Sequence, residues 1–128
     1  MRSMLAAIIS LALAASAFAT GEAISYSTAR AIWQQKHNTA EYQRYAVEFA
    51  QFNNHFRLDE RDGCYALGSG SVDLMLVITH PAGRQFAVIE RVLSNVDDAK
   101  ARCFEKSYRG VQTKIPPFLP FVLQMSMR

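Results

Sequence analysis

Apolar residues along this chain occur first as a continuous run, then at helical spacing, then at every second position. The run from Leu5 to Phe18 follows Arg2 and closes on Ala17-Phe18-Ala19. A positive start, a short apolar stretch and a small-residue A-x-A site form a cleavable secretory leader, and the run is too short and too alanine-rich for a bilayer span. Three segments are therefore expected: 1–19 as signal peptide, 20–61 as an N-terminal helical segment and 62–128 as an α+β domain.

From Ser27 or Thr28 to Lys36, Ala29, Ile32 and Trp33 fall on one helical face. Asn38 with Glu41 three residues on predicts the cap of a second helix over Thr39–Phe56. Its Tyr42, Tyr45, Ala46, Phe49, Phe52 and Phe56 form an aromatic stripe suited to a core. Leu58 to Gly63 reads as a charged link, Cys64 to Leu67 as a short strand, and Gly68 to Ser71 as a turn.

After the link the period becomes 2. Val72, Leu74, Leu76 and Ile78 alternate through Thr79 and predict a strand with one strongly apolar face. His80 to Gly83 has turn chemistry, and Gln85–Leu93 is a second strand paired with the first as a hairpin. Ser94 and Asn95 are capping residues for a helix over Val96–Tyr108, whose buried side carries Ala101, Phe104 and Tyr108; Gly110 is its stop. The prolines Pro116, Pro117 and Pro120 forbid helix, and Phe118–Met127 is a last strand. The fold class expected is α+β: a small antiparallel sheet in the order strand-strand-helix-strand, with N-terminal helices packed on it.

A net charge of +3 on 128 residues is too mild to imply nucleic acid as a partner. No stable membrane insertion is expected after the leader is removed. The cysteines, Cys64 and Cys103, allow one intramolecular disulfide in an oxidising compartment. Buried thiols and an intermolecular bridge are the other options.

No catalytic motif stands out. His37, His55 and His80 lack the spacing of metal ligands, so neither a metal nor a cofactor is expected. Gly68-Ser69-Gly70-Ser71 is neither a phosphate loop nor a nucleophile elbow. Lys100, Arg102, Lys106, Arg109 and Lys114 can be read as an anion site or as a solvated face. An enzyme or enzyme inhibitor built from non-contiguous residues, with His55 or His80 beside Asp59 or Asp62, is the alternative function.

Cys64-Tyr65 is followed by Val72 to Ile78 and Gly83, by Asp97 to Ala101 leading to Cys103-Phe104, and by Pro116-Pro117 before Pro120-Phe121. In these residues the segment 62–127 resembles the C-terminal domain of TonB-type energy transducers, in particular the disulfide-containing TonB-like variants of the cell envelope. The resemblance implies a bridge between Cys64 and Cys103, and a periplasmic binding or adaptor module that captures an envelope protein or peptide segment by strand addition. The chain departs from the family where a retained membrane helix and a proline-rich spacer would stand, and Ile115 occupies the place of an aromatic residue. Only the binding half of such a role is carried. Phe118–Met127 has no proline or charge after Pro120, so Phe121, Leu123, Gln124, Met125 and Met127 are the partner-binding candidates if that strand is an edge.

Overall fold

The computed structural model describes residues 24–55 and 58–128. The leader expected over Met1–Ala19 lies outside them. The element order is α1 (Tyr26–Lys36), α2 (Ala40–Asn53), α3 (Leu58–Tyr65), β1 (Val72–Thr79), β2 (Ala87–Ser94), α4 (Ala99–Tyr108), β3 (Gln112–Thr113) and β4 (Phe121–Met127). The strands form one antiparallel sheet in the order β3-β2-β1-β4, so the fold is α+β.

β1 is central because it is apolar on both faces. Val72, Leu74, Leu76 and Ile78 enter one core, joined by Tyr42, Tyr45 and Phe49 of α2 and by Ala101, Phe104 and Tyr108 of α4. Met75 and Val77 face the other way and meet Ala29 of α1, with Val122 and the partly buried Ile32, Trp33 and Leu93. The expectation of one strongly apolar face was thus half of the arrangement. α1 makes the second face a buried one, and full burial of a Leu or Met side chain contributes about 1.5–3 kcal/mol.

The apolar residues of β2 break strict alternation: Ala87, Ile89 and Val92 share one core. A bulge resolves the mismatch. Val77 pairs with Arg91 and Ile78 with Ile89, leaving Glu90 unopposed and restoring the face.

Several local expectations are corrected. The α2 cap is Thr39, whose side chain accepts from the Tyr42 N–H, rather than Asn38. The α4 cap is Asp98, accepting from the Ala101 N–H at 2.8 Å. Ser94 instead ends β2, and Asn95 accepts the Asp73 N–H at 2.9 Å across the hairpin. The supposed charged link and the first two residues of the expected strand form the helix α3, with Gly63 and Cys64 inside it, and Ala66 and Leu67 form a turn. Two-residue β3, unforeseen, follows Gly110, whose φ of +83° suits glycine and turns the chain out of α4. Among the described residues no helix is long and apolar enough to cross a membrane.

Candidate functional site

β4 is the outermost strand on its side of the sheet. Its register with β1 runs from Val72 opposite Met127 to Ile78 opposite Phe121. In an antiparallel ladder alternate residues turn their backbone groups toward the neighbour and away from it. The Gln124 N–H donates outward to the Tyr42 hydroxyl at 3.3 Å. By that parity the backbone groups of Val122, Gln124 and Ser126 line the free edge.

Residue positions predicted for partner contact separate by face. Phe121, Leu123 and Met127 are buried in the main core, and Met125 packs half-buried against it. The Phe121 ring is fixed by Tyr42, Tyr45 and Phe118, with centroids 5.2, 4.6 and 5.2 Å away. Gln124 lies on the opposite face, half-buried; its Nε2 donates to Ser126 Oγ, which donates to Asp73 Oδ1, each at 2.8 Å. What this edge offers is therefore mainly backbone. Val122 and Ser126 could have been found from the pleat alone, since they share the parity of Gln124.

The N-terminal helices flank this edge on both sides. α1 packs beneath Val122, α2 packs above Phe121, and Trp33 touches both cores. Trp33 stacks on His37 at 4.3 Å, and Lys36 Nζ lies 5.4 Å over the Phe118 ring. The role of Tyr42 had no signal in sequence beyond its place in the stripe.

Cys64 and Cys103 are joined, with 5.4 Å between their Cα atoms, tying α3 to α4. Neither is a free thiol. Next to the bridge, Tyr65 meets Phe104 edge-on and its hydroxyl donates to Met127 Sδ at 3.5 Å. Lys100 is 3% exposed; its ammonium donates to the Gly70 carbonyl at 2.6 Å and lies 5.5 Å from the Tyr65 ring centre.

The five basic residues singled out in sequence do not act together. Lys100 is buried, and Lys114 pairs with Glu48 at 3.0 Å beside a groove of about 520 Å³ between α2 and β3. Arg102, Lys106 and Arg109 instead line a separate groove of about 850 Å³ with Arg91 of β2. His55 and His80 line neither groove. His80 Nε2 lies 2.7 Å from the Arg84 carbonyl in the β1–β2 turn, and His37 sits at the end of α1 near the Trp33 and Gln34 carbonyls. Among the described residues no three His, Cys, Asp or Glu side chains are grouped to hold a metal ion.

Burial pushes the phenols of Tyr42, Tyr45 and Tyr108 above their ordinary value. Hydrogen bonds moderate each shift: from Gln124 at Tyr42, with Thr113 at Tyr45, and with Arg61 and Asn53 at Tyr108. Compared with protein-family models, curated proteins and solved structures, the chain matches none of them.

Proposed function

We propose that this chain is an exported, non-catalytic binding module of the cell envelope that captures an extended protein segment by strand addition to β4. The observation that carries the reading is the position of β4: outermost in the sheet, free of proline and charge from Phe121 to Met127, with Val122, Gln124 and Ser126 directing backbone groups outward. An added strand gains affinity from main-chain hydrogen bonds and selectivity from alternate side chains. The arriving carbonyl takes the Gln124 N–H from the Tyr42 hydroxyl, a neutral exchange of one acceptor for another.

The leader-like residues 1–19 and the Cys64–Cys103 bridge support a periplasmic location, since disulfides persist in oxidising compartments. The resemblance of residues 62–127 to TonB-type C-terminal domains supports the same class of activity. Intact mass of the exported protein is expected to begin near Thr20.

Gln124→Pro tests the edge. It removes an outward N–H and spares the β1–β4 ladder, unlike a proline at Leu123. The oxidised protein is expected to capture an envelope protein from extracts, and folded Gln124→Pro to lose it. Capture undiminished in the folded variant refutes strand addition at β4.

A further inference from the structure

The groove at the junction of β2 and α4 gathers charge that the strand-addition reading does not use. Arg102 and Lys106 on α4 and Arg109 at its C-cap lie away from the buried Ala101, Phe104 and Tyr108. Arg91 reaches the same groove from β2. Two carboxylates share the wall, and both are engaged. Asp97 Oδ1 holds Arg102 at 2.9 Å, and Glu105 Oε1 accepts from the Ser94 hydroxyl at 2.7 Å. Four cations against two carboxylates leave the wall two positive charges in excess. Arg91, Lys106 and Arg109 have no carboxylate partner among the described residues.

We propose that this groove binds a phosphorylated organic anion carrying at least two negative charges. The cations approach from a strand, from the outer side of a helix and from its C-cap, so the ligand must present oxygens in several directions. A phosphate group does so, and guanidinium forks bind it bidentately. The groove, about 850 Å³, lies in the usual range for a small-molecule site and is far larger than a bare ion needs. Apolar wall for the organic part comes from Tyr26, Leu93 and Val96, the last 38% exposed. Binding is expected to weaken steeply with added salt, because the recognising charges are solvent-accessible.

The oxidised full chain is titrated with soluble glycerol phosphate and fructose bisphosphate, and separately with phosphatidylcholine vesicles with or without cardiolipin, whose headgroup carries two phosphates. A polyglutamate peptide is the carboxylate control. The expected result is saturable binding of one phosphate class, weakened at least tenfold in Lys106→Gln/Arg109→Gln and unchanged in Arg84→Gln, an exposed cation in the β1–β2 turn. Soluble binding identifies a free organic phosphate; binding to the cardiolipin vesicles alone identifies a lipid headgroup. No phosphate binding, equal binding of polyglutamate, or equal loss in Arg84→Gln overturns the proposal. Gln124→Pro is expected to leave phosphate binding intact, which separates this site from the β4 edge.

Discussion

Opening the Cys64–Cys103 bridge is the perturbation whose size follows most directly from the structure. The bridge closes a loop with a sequence separation of 39. For a loop of that length the chain-entropy relation gives about 4 kcal/mol, lost when the unfolded chain is released. Domains of this size are stable by about 5–15 kcal/mol, so the loss is a large share of the total. Cys103→Ala is the cleaner variant, because Cys103 packs only half-buried against the core. Cys64 is fully buried, so Cys64→Ala adds a small cavity and about 1 kcal/mol more. The assay is urea unfolding with thiols kept reduced, and wild type in reductant provides a comparison with no atoms deleted. With a slope of about 1–2 kcal/mol/M, the midpoint is expected to fall by roughly 2–4 M, and the slope itself to rise as the unfolded chain expands. A Cys103→Ala loss below about 1 kcal/mol refutes the reasoning. It would mean that α3 and α4 stay together in the unfolded ensemble without the bridge.

Tyr42→Phe removes the hydroxyl that accepts the Gln124 N–H. A lost hydrogen bond of about 1 kcal/mol corresponds to roughly fivefold faster hydrogen exchange at that amide, with little change elsewhere on β4. Gly110→Ala forces a side chain into a backbone with φ of +83° and is expected to cost about 1–2 kcal/mol in thermal or urea unfolding, although nothing lies within 4 Å of its Cβ. Alkaline pH is expected to destabilise the fold. The raised phenols of Tyr42, Tyr45 and Tyr108 hold their protons longer in the folded chain than in the unfolded one. Stability is full below about pH 10 and falls above it, as followed by circular dichroism alongside tyrosinate absorbance.

What sequence made legible depended on how local the cause was. β1 could be placed residue for residue because alternation through Val72–Thr79 is set by its own pattern. α3 could not, since Asp59-Glu60-Arg61-Asp62-Gly63 has no apolar stripe and contains glycine; the helix is anchored by Cys64 to a residue far along the chain. β3 is too short for any periodicity. The caps missed by a few residues because Asn38, Ser94 and Asn95 are all capable side chains, and backbone geometry chose Thr39 and Asp98. At the β4 edge, the candidates were legible as a strand, but not the division between core side chains and outward backbone. In the basic groove, the spacing of Arg102, Lys106 and Arg109 was readable, whereas the approach of Arg91 depends on tertiary contact.

The place of β4 also governs when this fold can exist. Its residues supply the neighbour of β1 on one side, the floor for α1 and the ring that seats α2. The Tyr42–Gln124 hydrogen bond spans 82 residues, and β1 meets β4 across more than 40. A nascent chain that has not yet produced Phe121–Met127 can form the β1–β2 hairpin but leaves α1 without Val122 and α2 without Phe121. Contacts this distant in sequence slow folding, since chain closure precedes the gain from burial. The core of this fold therefore closes only once Phe121–Met127 has been made, whatever has formed before it.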